Sequence, residues 1–304
     1  MSDTGLTPSA RARLDSLAAQ PLAEAGGSAG IEGSRRALRD LLAYRELLGL
    51  LVRRELKMKY KDSALGFLWT LIRPLVTLVV YYVAIGHFLG AAKAIPGFAI
   101  YVFTGLITYQ LFSDTVSGGA GSILTNAGLV KKVYLPREVF PISVAGSALV
   151  NFAMQLVVLL GASVVFGDFP TGPRWWYFPL SVAVTVAWGL ALGMVLAAVT
   201  VYLRDVQYLV EIALMVLFWA SPIVYSWQLV VNAAPERLAQ VYLANPITVS
   251  VLGMQQVFWT AGSDQSVPPD LAARLGIMLA IGLVALVLAQ QVFARLQTNF
   301  AQEL

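Results

Sequence analysis

Residues 142–166 and 175–202 contain no charged side chain, and residues 275–293 contain none either. A run of that kind is long enough to cross the roughly 30 Å hydrocarbon of a bilayer as a helix of about 20 residues. Lipid offers the backbone no hydrogen-bond partner, so such a run must be helical or part of a closed barrel. Barrel strands alternate apolar and polar positions, and these runs do not. The chain is therefore predicted to be an all-α polytopic membrane protein. Composition agrees: 58% of the 304 residues are hydrophobic and only 12% charged, with a mean hydropathy of +0.72. A soluble domain has about 25% charged residues.

Six spans are expected, at about 65–89, 97–117, 141–166, 175–202, 206–227 and 271–293. The second dissolves into Ser117-Gly118-Gly119-Ala120-Gly121-Ser122, a stretch of poor helix formers. Residues 228–270 are harder to read. Val241–Trp259 is apolar but is interrupted by Asn245-Pro246 and Gln255-Gln256, and favours short outer helices dipping into the membrane. Ahead of the spans, residues 1–34 have the composition of a disordered tail. Residues 36–61 then place Leu38, Leu41, Leu42, Leu48, Leu51, Val52 and Leu56 opposite charged positions, as an amphipathic interface helix would. A single transmembrane domain over 35–304 follows from this order.

The pI of about 9.3 is a statement about topology and not about nucleic acid. Roughly half of the 21 Lys and Arg precede residue 65, and Lys131, Lys132, Arg137, Arg204 and Arg295 fall in other segments predicted to stay inside. Both termini are then cytoplasmic. The first 60 residues lack the apolar core of a cleaved signal. The most distinctive loop is Asn126–Pro141, a basic segment punctuated by Pro136 and Pro141. Because proline lacks a donor and restricts its predecessor, a short helix is expected to end near Pro136, with a new one starting after it.

Enzyme signatures are scarce. No Gly-x-x-x-x-Gly-Lys-Ser/Thr loop occurs, so ATP is not bound in that way, and no cofactor or metal site is expected. There is no cysteine, and His87 is the one histidine. Asp114, Asp205 and Glu211 are too few and too scattered to specify a membrane enzyme acting on a lipid-linked sugar. An ion-coupled secondary transporter would require buried coupling carboxylates and internal repeats, and only Glu211 fits.

Two charges fall inside spans. Arg73 and Glu211 lie at similar depths, and they either pair, within a subunit or across a dimer, or snorkel separately to headgroups. Ser147, Asn151 and Gln155 form one polar stripe on the third span, which either hydrogen-bonds to a neighbouring helix or lines a polar cavity. Gly189 and Gly193 permit close helix packing. Tyr81, Tyr82, Tyr109, Trp188 and Trp219 put rings within spans, where aromatic faces would suit sugars.

Taken in order, several landmarks resemble the ABC-2 type permeases of polysaccharide exporters. They are Arg53–Trp69 with Pro74-Leu75, Asn126–Pro141, Tyr202-Leu203-Arg204-Asp205-Val206, Ser221-Pro222-Ile223-Val224-Tyr225 and Asn245-Pro246. The resemblance covers about residues 36–300. It implies a permease in the cytoplasmic (inner) membrane, two copies of which pair with two copies of a separate ATPase that holds ATP and Mg. The implied cargo is a polyprenyl-diphosphate-linked glycan, of O-antigen or galactan type, with teichoic acid or capsule as alternatives. Arg53, Arg54 and Lys57, together with Asn126, Leu129, Lys131, Lys132, Tyr134, Pro136 and Arg137, would couple to the ATPase. Arg73, Glu211, Tyr81, Tyr109, Asn151, Gln155 and Trp219 would be pathway or gate candidates, and residues around Asn245–Trp259 would form outer gate helices.

Overall fold

The computed structural model describes residues 44–60, 68–132, 135–165, 169–265, 267–268 and 270–304. The expected tail at 1–34, the start of the amphipathic helix and Tyr134 lie outside the described residues. Those described form helices and their connections, with no strand among them.

Helix α1 (Arg45–Tyr60) precedes α2 (Trp69–Tyr81), which continues as a π-helical turn to Phe88. A short α3 (Ala91–Ala94) leads into α4 (Phe98–Thr125). Then come α5 (Ala127–Lys132), α6 (Val139–Val165), α7 (Tyr177–Tyr202) and α8 (Val206–Trp219). Three shorter helices follow: α9 (Trp227–Ala233), α10 (Glu236–Leu243) and α11 (Pro246–Phe258). The chain closes with α12 (Leu271–Leu296) and α13 (Phe300–Glu303). Four of these helical stretches are long and apolar enough to cross a membrane: Trp69–Phe88, Val139–Val165, Pro173–Tyr202 and Leu271–Asn299.

Helix α4 does not end near residue 117 as its glycines suggested. It runs 28 residues to Thr125. Each glycine costs a helix about 1 kcal/mol relative to alanine, and here helix contact offsets that cost. A Cβ on Gly119 would lie 3.0 Å from the Gly193 Cα, and one on Gly193 would lie 3.0 Å from the Thr115 carbonyl oxygen. At Gly118 it would meet Val144 of α6 at 2.7 Å. The glycines thus seat α4 between α6 and α7, and Gly189 and Gly193 serve packing, as the sequence implied. Most of α4 is buried, so it needs no lipid-facing stripe and tolerates polar residues. The hydroxyls of Thr104, Thr108 and Thr115 donate to carbonyls one turn back, at 2.7 Å each.

The expected span at 206–227 is also corrected. Helix α8 stops at Trp219 after 14 residues, about 21 Å at 1.5 Å per residue. Residues 220–225 are irregular, and Ser221–Val224 are buried. Pro222 has no N–H to give and disfavours a helical Ser221. Exposed backbone of this kind would be costly in an apolar surround, but neighbours satisfy it. Tyr101 Oη donates to the carbonyls of Pro222 (3.1 Å) and Tyr225 (2.7 Å), Gln255 Nε2 to that of Pro222 (2.9 Å), and Thr248 Oγ1 to that of Ala220 (3.3 Å).

Elsewhere the boundaries shift modestly. Helix α6 begins at Val139, before Pro141, because proline is tolerated in a first turn. The doubtful 228–270 region holds α9–α11, with α11 buried along nearly its whole length against α4, α7 and α12. Asn245 caps α11 by accepting from the Ile247 N–H at 3.0 Å. The apolar edge of α1 packs on protein. Leu51 is buried, Leu47 and Leu48 lie against the same core, and Val52 reaches Gly146 of α6.

Gly193→Val should overpack the α4–α7 seam, at about 1–3 kcal/mol, and lower the melting temperature of the detergent-solubilised protein. An unchanged melting temperature would show that the seam is not held by backbone contact.

Candidate functional site

The basic segment forms a knuckle at one end of the bundle. Asn126 ends α4 and is buried, its side-chain Nδ2 donating to the Ser122 carbonyl at 2.9 Å. Its Oδ1 accepts from Arg54 Nη1 at 2.6 Å, which fastens the knuckle to α1. Leu129 and Val130 of α5 turn inward, onto a core shared with Leu51, Ile123, Phe140, Val201, Phe293 and Phe300. Lys131 and Lys132 stay exposed, as do Arg53 and Lys57 on α1. The structure therefore brings most of the coupling candidates to one end.

Arg137 differs from the others. Its guanidinium donates to the Gln297 carbonyl and lies 5.5 Å from the centre of the Phe300 ring. Gln297 Nε2 in turn donates to buried Glu138 at 3.4 Å. Arg137 ties the knuckle to the end of the chain instead of standing out as an exposed charge. Pro136, half-buried, precedes it and accepts from the Val139 N–H at 3.2 Å. Glu138, Gln297 and Phe300 were not legible as site residues, because nothing in sequence spacing joins positions so far apart.

The polar stripe on α6 does both things open to it. Asn151 and Gln155 line a recess of about 660 Å³ between α2, α4 and α6, and Ser147 lines a second one of about 330 Å³. Gln155 Nε2 also donates to the Thr70 carbonyl at 3.2 Å. Lys59 and Asp114 wall both recesses and form an ion pair at 3.7 Å. Gln110, one turn before Asp114, donates to its Oδ1 at 2.7 Å. The Gln110–Asp114 pair at i, i+4 was a readable signal, whereas its meeting with Lys59 was not.

Arg73 opens onto the larger recess and Glu211 lies on an exposed face of α8. No ion pair joins them within the described chain, so pairing inside one protomer is not what places them. The aromatic candidates do converge. Tyr81 stacks on Phe218 at 5.8 Å, Tyr109 meets the same ring edge-on at 5.2 Å, and Trp219 meets it edge-on at 5.6 Å. Tyr109 also donates its hydroxyl to the Leu214 carbonyl. Tyr81 and Tyr109 thus help hold α8 against α2 and α4, and only Trp219 of the three is largely exposed. Among the described residues no group of three or more His, Asp or Glu side chains is close enough to hold a metal ion.

The described arrangement gathers exposed lysines at one end of the bundle, on a segment fastened to α1 and to the end of α12. Residues 46–259 match the model of the ABC-2 type transporter family. The chain belongs to that family. A Myxococcus xanthus protein named O-antigen export system permease protein RfbA is 33% identical over 272 residues, which is 88% of this chain and 99% of the relative. A Klebsiella pneumoniae protein of the same name is 25% identical, over 84% of this chain and 94% of its own length. The Escherichia coli polysialic acid transport protein KpsM is 21% identical, over 64% of this chain and 74% of its own length. As an ABC-2 family member with four long apolar helical stretches, the chain is a multi-pass membrane component of a transporter.

A double-mutant cycle with Arg54→Ala and Asn126→Ala should give a coupling energy of about 1.5–3 kcal/mol in thermal stability, the order expected of a hydrogen bond to a charged group. Strictly additive losses would mean that α1 and the knuckle are energetically independent.

Proposed function

We propose that this ABC-2 chain is the permease half of an ATP-driven exporter that moves a polysaccharide of O-antigen or galactan type, carried on a polyprenyl diphosphate, across the cytoplasmic membrane. Two copies would pair through a two-fold axis, each engaging one separate ATPase subunit that binds ATP and Mg. Both termini and the α5 knuckle would face the cytoplasm, in keeping with the concentration of Lys and Arg there. With α2, α4, α6, α7, α8 and α12 counted as crossings, six would result. Helix α4 is long enough, and its polar content suits an interior position. Helix α8 is short, and the buried loop at 220–225 would complete its passage.

One observation carries the reading. The knuckle presents Lys131 and Lys132 outward while its own body is fastened on three sides, through Asn126 to α1, through Leu129 and Val130 to the core, and through Arg137 to the chain's end. A push on exposed lysines mounted in this way moves α1, α4 and α12 together. Names of the relatives, O-antigen export and polysialic acid transport, favour a polysaccharide as cargo.

Lys131→Glu with Lys132→Glu in the assembled complex should abolish most polysaccharide export while the ATPase subunit still hydrolyses ATP. Arg137 is left intact in this test because it holds the knuckle itself. Normal export by the double variant would overturn the coupling role. Export by the permease without the ATPase would overturn the ATP-driven reading.

A further inference from the structure

The 660 Å³ recess between α2, α4 and α6 has the size of a small-molecule site, which runs from roughly 300 to 1,000 Å³. Its wall carries two cations, Lys59 and Arg73, against one carboxylate, Asp114. Asp114 is already met by Lys59 at 3.7 Å and by Gln110 at 2.7 Å. No ion pair or hydrogen bond engages the Arg73 guanidinium among the described residues. That fork is well matched to phosphate oxygens. A second polar atom is unspent. Gln155 is buried to within 4% of full exclusion, and its Oε1 has no hydrogen-bond partner. A buried acceptor left empty is costly, and it requires a donor that a fully ionised phosphodiester does not supply. Hydroxyl groups do supply one. Trp69, 52% exposed, adds an indole to the same wall, a surface on which the CH face of a sugar can lie.

The recess also sits beside a surface for an apolar chain. Val76 and Val80 share the face of α2 that carries Arg73, at three- and seven-residue steps, and both are more than half exposed, as is Val79. Cation and bare apolar stripe thus follow one another along α2, with the hydrogen-bonding Gln155 facing the same recess from α6.

We propose that this recess binds a phosphorylated, hydroxyl-bearing lipid headgroup, and that its occupant is the diphosphate and first sugar of the exported carrier-linked glycan. Arg73 would take the phosphate oxygens, with Lys59 exchanging part of its contact to Asp114 for them. Gln155 Oε1 would accept from a sugar hydroxyl, Trp69 would cover the ring, and the isoprenoid would lie along Val76 and Val80. The negative Asp114 carboxylate also faces this space, so the sugar hydroxyls and not the phosphate belong beside it. The assignment of a glycan carrier rests on the exporter function proposed above. An anionic glycerophospholipid offers the same chemistry of phosphate and hydroxyl and is the alternative source.

The test uses the full chain in phosphatidylcholine nanodiscs with three probes: a polyprenyl diphosphate bearing one hexose, the same lipid without sugar, and phosphatidylglycerol. The hexose lipid should bind, and Arg73→Gln should weaken it roughly tenfold or more, with Arg73→Lys weakening it less. Gln155→Leu should weaken the hexose lipid and leave the sugar-free diphosphate unchanged. Arg73 is exposed, so an unaltered melting temperature in Arg73→Gln separates lost binding from lost folding. Binding of the hexose lipid that is indifferent to Arg73→Gln would overturn the site. Equal binding of phosphatidylglycerol would overturn the glycan assignment in favour of a bilayer lipid. Since binding is read without transport, failure here leaves the exporter reading standing, and loss of ATP-dependent export in the unaltered complex would refute that reading separately.

Discussion

Contact between the backbones of α4 and α7 is what the rest of this bundle depends on. Gly119 lies against the Gly193 Cα, and Gly193 against the Thr115 carbonyl, at distances no larger side chain would allow. Without that approach the sequence Ser117–Ser122 would favour breaking the helix. With it, α4 is one rod from Phe98 to Thr125. The free energy lost in helix propensity returns as packing along the seam.

Two consequences follow from the rod being continuous and central. Its polar side chains can be kept out of lipid, so Gln110 donates to Asp114, Asp114 meets Lys59, and the polar face of α6 lines the same space. Its far end, Asn126, becomes the root of the basic knuckle. The Arg54 contact then brings α1 into the same rigid unit. In the proposed account, a displacement applied at Lys131 and Lys132 would pass to Asn126 and along α4 to the Lys59–Asp114 pair, which lines both recesses. Force and cargo, in the proposed account, meet on one helix.

Much of this was readable beforehand because lipid leaves few choices. Apolar runs of the right length gave α6, α7 and α12 nearly to their ends, and the basic loop was found from charge and proline alone. The Gly189 and Gly193 spacing was also read correctly as packing. The sequence misled where a local signal was overruled by tertiary contact. Glycines in α4 looked like a break because propensity does not know that α7 is adjacent. Residues 220–227 looked like helix because Pro222 was outweighed by apolar neighbours, while the Tyr101, Thr248 and Gln255 side chains that hold the irregular backbone are far away in the chain. That Arg137 also binds Gln297 and Phe300 was not legible, because most of the fold separates them from it in sequence. Arg73 and Glu211 were joined by depth alone, which does not fix the direction in which a side chain points.

The absence of cysteine permits a direct measurement of the central claim that the α5 knuckle receives work from a cytoplasmic partner. A Lys132→Cys variant carries a single thiol, which can be challenged in intact cells and in the assembled complex. The account predicts that it is shielded from a membrane-impermeant maleimide outside the cell and forms a short-range cross-link to the ATPase subunit. Labelling from outside, or a complex that exports normally while the thiol cross-links to no partner, would contradict it.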